Sequence, residues 1–329
     1  MTVTTRSTFL FDVELFQTQT CQTIRRRPLD RGATIHAVSG TAYRAAAVAG
    51  VEAPPTPAPR RGVVAIARGP RGCTVTRAYA ESPLKWLTPA TRGEAAWVFA
   101  SSYGGGLVGG DHLDVEFDVG AGAAAFLSTQ ASTKVYRSAA GASTHLAARV
   151  AAGGLLVSLP DPVVCFASSA YRQTQVFGID GSAGLVALDW MTSGRLGSGE
   201  RWAFDAYAST TALRVDDRLV LQDAVRLNAA DGDLASRAGR LDVLAVVVIA
   251  GRRLAAEAAR VVAAVSAMPI ERRARVVLSA APLPGLVLAP PGCVVRLAGE
   301  HVEDVRGALR RLLDFVPGLL GDDPWARKW

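Results

Sequence analysis

The chain has 329 residues, half of them hydrophobic and 7% aromatic, with 36 basic against 29 acidic side chains and a formal charge of +7. That composition excludes a disordered or fibrous protein, and the longest apolar run, 243–250, falls far short of the ~18 residues a membrane-spanning helix needs. The positive excess is arginine spread along the chain, with one compact run at Arg25, Arg26 and Arg27, so neither nucleic acid nor a membrane is expected as a partner.

Residues 1–62 differ from the rest. Scattered Thr and Gln lead into a proline-rich stretch over 54–59 whose rings cannot donate to a strand ladder. The expected organisation is therefore a poorly ordered N-terminal extension over 1–62 followed by one body over 63–329. Asp12 and Glu14 interrupt the stretch where a secretory leader would be apolar, and Cys21, Cys73, Cys165 and Cys293 form no CxxC pair, so a reducing cytoplasm is the expected compartment. Cys165, between Val164 and Phe166, reads as buried and inert.

In the body, short apolar runs alternate with Gly, Asp and Pro turns, which predicts an all-β-dominated fold. The clearest strand is 113–119, where Leu113, Val115, Phe117 and Val119 alternate with Asp114, Glu116 and Asp118; period two places these carboxylates on one face. Further strands are predicted over 123–129, 155–159, 171–177, 185–189, 202–207, 219–225 and 241–249. Two helices are predicted late, over 254–265 and 302–316, the second stopping at Pro317 and Gly318. Its apolar stripe, Val305, Leu309, Leu312, Leu313 and Val316, must be covered either by the body or by a partner. No period of 20–50 residues repeats in the letters.

The glycine-rich segment 102–111, with Gly104, Gly105, Gly109 and Gly110, lacks the GK[ST] ending of a phosphate cradle and leads into a strand; it reads as a tight turn. His36, His112, His145 and His301 are isolated, so no tight zinc or nickel cage and no tightly bound cofactor is expected. Carboxylates remain. Asp111, Asp161, Asp189 and Glu200 each end an apolar run beside turn-forming residues, where side chains can converge on a cavity or cap a turn. A carboxylate pair with Trp190 and Trp202 nearby would suit a carbohydrate hydrolase; a purely structural β-rich interaction module is the other alternative.

Four segments read together, SYGGGLVGGD (102–111), STQASTKVYRS (128–138), LPDPVVCF (159–166) and DWMTSGRLGSGERW (189–202), resemble the urease accessory protein UreD family, called UreH in some lineages. Ser82, Pro83 and Leu84 upstream and Pro324 and Trp325 near the end fit the same pattern, and the resemblance spans about 63–329. It implies a non-catalytic scaffold with a β-helical body and a small two-helix C-terminal part. The implied partners are the urease structural subunits, a UreF-like accessory protein and, through the complex, a UreG-like GTPase. It further implies transient Ni2+ passage toward the urease active site, for which loose oxygen ligands suit better than a His/Cys cage. Thr129, Gln130, Lys134 and Arg195 fall in the matching motifs, with Ser128 in place of the usual first threonine. Asp111, Asp161, Asp189 and Glu200 are the acidic motif residues expected along such a route.

Overall fold

A computed structural model describes residues 7–8, 58–283 and 291–326. Most of the expected extension over 1–62 lies outside the described residues. Its last three residues already belong to a strand, β2 (Arg60–Gly69).

The described chain is strand-dominated. The first sheet contains β1 (Ser7–Thr8), β2, β3 (Gly72–Ala80), β6 (His112–Val119), β9 (Ala142–Val150), β12 (Ala170–Ile179), β14 (Ala206–Val215) and β15 (Arg218–Asn228), in the order β1-β15-β14-β12-β9-β6-β2-β3. The second contains β4 (Leu84–Leu87), β5 (Ala96–Ser102), β7 (Ala124–Thr129), β10 (Leu155–Ser158), β13 (Gly184–Thr192), β16 (Val243–Ala250), β17 (Val276–Pro282) and β18 (Gly292–Gly299), in the order β17-β18-β16-β13-β10-β7-β5-β4. Two short strands, β8 (Thr133–Val135) and β11 (Val163–Cys165), pair beside them.

From β5 to β14 the chain crosses repeatedly between the sheets, and each strand pairs in parallel with its predecessor in the same sheet: β6 with β9, β9 with β12, β12 with β14, and β7 with β10, β10 with β13. Equivalent positions lie 29 to 36 residues apart, as Gly153 beside Ser182 and Gln173 beside Ser209. Such crossovers need long connections, which a two-residue hairpin cannot supply.

Alternation in β6 falls as its pattern predicts. Leu113, Val115, Phe117 and Val119 are buried, while Glu116, Asp114 and Asp118 pair on the outer face with Arg61 (3.0 Å), His145 (2.8 Å) and Arg149 (3.7 Å). In β13 both faces are covered. Val186, Leu188 and Trp190 pack toward the helices, so Leu185, Ala187 and Asp189 face the first sheet.

The two predicted helices are α2 (Ala255–Ser266) and α3 (Val302–Leu312), joined by the five-residue helices α1 (Leu234–Ala238) and α4 (Val316–Leu320). Both predicted helices fall late in the chain and pack on the body. Helix α2 is inserted between β16 and β17, and the stripes of α2 (Ala258, Val261, Val265) and α3 (Val305, Leu309, Leu312) share one core with the outer face of the second sheet. The stripe of α3 is thus covered by the body itself.

Two expectations need correction. Pro317 does not end the helical region: it occupies the first turn of α4, where its missing N–H is not needed. Strand 202–207 is in fact a turn as far as Asp205. Trp202 has φ 54°, and its indole donates to the Leu241 carbonyl at 3.1 Å; the aromatic letters that read as β-propensity are a packed wedge, Trp202 against Phe204 at 5.9 Å.

Candidate functional site

Between the two sheets lies a cavity of about 250 Å³. Its polar wall is made by Thr129, Gln130, Asp161, Gln173, Gln175 and Asp189, its apolar wall by residues such as Leu113, Val115 and Leu146. That space is large enough to admit water, and the polar wall offers it hydrogen-bond partners.

Asp189 is the central group. Its carboxylate reaches from the second sheet to the first, accepting from Gln173 Nε2 at 3.0 Å and from the Ser209 hydroxyl. The part of its surface left accessible faces the cavity. Removal from bulk water pushes its pKa up to about 6, against the opposing effect of the Ser209 and Gln173 hydrogen bonds, and the charge of Asp223 adds to the rise. Gln173 is held in turn by Tyr171, whose hydroxyl donates to Gln173 Oε1 at 3.3 Å or to Thr144 at 3.0 Å. Asp161, 5% exposed, lines the same cavity, and its backbone N–H donates to Thr129 Oγ1 at 2.7 Å.

Of the four motif carboxylates, the fold thus brings Asp161 and Asp189 to one cavity. The other two serve turns. Asp111 accepts from the Val108 N–H at 2.8 Å. Glu200 accepts from the Ala167 N–H at 3.0 Å and pairs with Arg195, whose hydrogen bond holds the Glu200 carboxyl below its usual range. Arg195 also lies over the Phe166 ring at 4.1 Å, so it fastens the 195–200 turn to the body.

The glycine segment shapes the rim. Gly105 lines the cavity; Gly110 has φ 87°, which favours glycine, and a Cβ on Gly109 would fall 1.5 Å from Ser138 Oγ, so the Ser138 side chain crowds that position. Gly104, at φ 82°, faces open space. Gln130 is exposed at the rim and accepts from the Ser101 hydroxyl at 2.6 Å. Lys134 points to solvent, and its carbonyl accepts from the Leu107 N–H.

Sequence reasoning missed the inward-facing partners Gln173, Gln175, Ser209 and Thr211, together with the ion pair of buried Asp223 and half-buried Arg296. A signal existed in β12: Gln173 and Gln175 are in phase with Tyr171 and Phe177, which are buried, so period two already aimed the amides inward.

The cavity carries a few oxygen donors on an otherwise largely apolar lining. Among the described residues no group of three His, Cys, Asp or Glu side chains could hold a metal ion, and burial pushes the Cys165 thiol up to about 12, as its inert reading requires. Trp190 and Trp202 are each 5% exposed, so neither offers the open face on which a sugar ring would stack.

These features define a strand-dominated protein with a cavity between its sheets, a largely apolar lining and two carboxylates, Asp161 and Asp189, among its polar groups. The sequence model of the UreD urease accessory protein family matches residues 61–329. A urease accessory protein UreD of Sorangium cellulosum is 54% identical over 253 residues, covering 77% of this chain and 79% of that one. The corresponding protein of Anaeromyxobacter sp. is 44% identical and covers 81% and 88%; urease accessory protein D of Arabidopsis thaliana is 32% identical and covers 77% and 95%. The chain belongs to the UreD urease accessory protein family, and its role is in urease maturation. Among the described residues no helix is long and apolar enough to cross a membrane.

Proposed function

We propose that this protein is a non-catalytic cytoplasmic scaffold that binds apo-urease together with UreF- and UreG-like partners and passes Ni2+ through its interior toward the urease active site. The observation that carries this reading is the cavity between the sheets, where Asp161 and Asp189 stand among the amide and hydroxyl groups of Gln173, Ser209 and Thr129. A divalent ion losing part of its hydration needs an oxygen donor at each stage, whereas a tight multidentate site would trap it. Nickel is cargo here, and no tightly bound cofactor is required. The parallel stacking of β6, β9, β12 and β14 opposite β7, β10 and β13 supports reading the body as β-helical, with the passage between the two walls of its coils.

Deleting the gene from a urease-producing host should leave the urease polypeptides at normal levels but poor in nickel and inactive. Full urease activity in the deletion strain without added nickel would refute the maturation role.

A further inference from the structure

Beyond the cavity, a polar file continues across the first sheet, and the facing positions of the second sheet run from Asp189 through Val246 to Arg296. On the first sheet, Gln175 lies beside Thr211 and Thr211 beside Asp223; on the second, Asp189 lies beside Val246 and Val246 beside Arg296. Paired neighbours in adjacent strands project from the same face of a sheet, so Asp223 and Arg296 face each other between the sheets. There they make a cross-sheet ion pair, with the Asp223 side chain 4% and the Arg296 side chain 19% exposed. Two strand spacings, ~10 Å, separate the backbones of Asp189 and Arg296, and the charge of Asp223 is felt at Asp189.

We propose that the Asp223–Arg296 pair is a latch closing the interior file at its β15/β18 end, with Arg296 filling at rest the place a divalent cation takes in transit. The inference rests on the conduit reading given above. Stability does not explain the pair, since a buried ion pair is commonly no better than well-packed apolar residues of the same size. A guanidinium fixed on Asp223 repels an approaching divalent ion at low dielectric. Because arginine does not deprotonate, the latch opens only by movement. Its partial exposure gives the side chain a route toward solvent, and a divalent ion competes with it for the hard oxygens of Asp223.

Two variants of the full-length chain test this. Arg296→Gln removes the resident cation and leaves the carboxylate. Calorimetric titration with Ni2+ alone should show binding about tenfold tighter than in the native chain, lost again in Asp223→Asn/Arg296→Gln. Asp223→Leu/Arg296→Met, which should fold whether or not the single variant does, seals the file with apolar side chains. It should assemble with urease normally yet lower the nickel content of the matured enzyme about tenfold. Native titration by Arg296→Gln, or normal nickel loading by the double variant, overturns the latch. If Asp189→Asn lowers loading while the double variant does not, the latch alone fails; if neither lowers it, the conduit fails as well.

Discussion

Asn in place of Asp189 is expected to make the protein more stable at neutral pH and less able to deliver nickel. The folded pKa of Asp189, about 6, lies above the ordinary 3.8, so the folded state binds this proton more tightly than the unfolded chain does. Its contribution to stability is fully present below pH 3.8 and is lost as pH rises through about 6. At pH 7.5 ionisation therefore costs at most about 3 kcal/mol, and water in the cavity reduces that figure. Asn can still accept from Gln173 while its amide donates to the Ser209 hydroxyl, so the fold is preserved. Denaturant titration should show Asp189→Asn above the native chain at pH 7.5, with roughly half that gap at pH 5. Urease matured by the variant under limiting nickel should hold several-fold less metal, because the oxygen at mid-route no longer carries charge. Neutralising Asp114, Glu116 and Asp118 together should change nickel content little, since their partners stand on the outer face.

A charge inside the helix-to-sheet core should have a larger structural effect. Leu309 is 1% exposed and packs with Val305, Leu312 and Leu313 against the second sheet. Leu309→Asp buries a carboxylate among apolar groups, which costs several kcal/mol, comparable to the whole stability of a domain. The variant should be recovered only in the insoluble fraction. Leu309→Ala should fold with a loss of about 2–5 kcal/mol, and Leu219→Asp, at a position 41% exposed, should behave as native. Soluble, folded Leu309→Asp would mean that the stripe serves a partner and not the body.

How much of this was legible in the letters depends on what each side chain faces. Strand β6 could be read because one face meets solvent, so polar and apolar residues alternate. The helices over 255–266 and 302–312 could be read because a single sheet covers one stripe of each. Strand β9 escaped, since ASTHLAARV mixes small, charged and apolar residues on faces that are neither wholly wet nor wholly dry. The parallel stacking left no repeat in the sequence: each strand needs only an apolar or small residue at an equivalent place, as Ala124, Leu155 and Gly184 stand side by side in β7, β10 and β13.

The site followed the same logic. Asp161 and Asp189 were found as acidic residues at the ends of apolar runs, but Asp111 and Glu200 share that local pattern and serve turns instead. Convergence on a cavity depends on residues from the facing sheet, here Gln173 and Ser209, which are 16 and 20 positions from Asp189. Period two gives the facing of each side chain, whereas only the packing of the two sheets says what stands opposite.

Interior passage of nickel is tested most directly by transfer in the presence of a scavenger. The proposed complex of apo-urease, the native chain and UreF- and UreG-like proteins, with nickel loaded on the UreG-like protein, is mixed with excess EDTA, and the metal in urease is then measured. The account predicts that urease still acquires nickel with the native chain, because the ion travels where the chelator cannot reach, and that Asp189→Asn loses most of this protected transfer. Nickel captured by EDTA equally well with native chain and variant, leaving urease empty in both, would contradict passage through the interior.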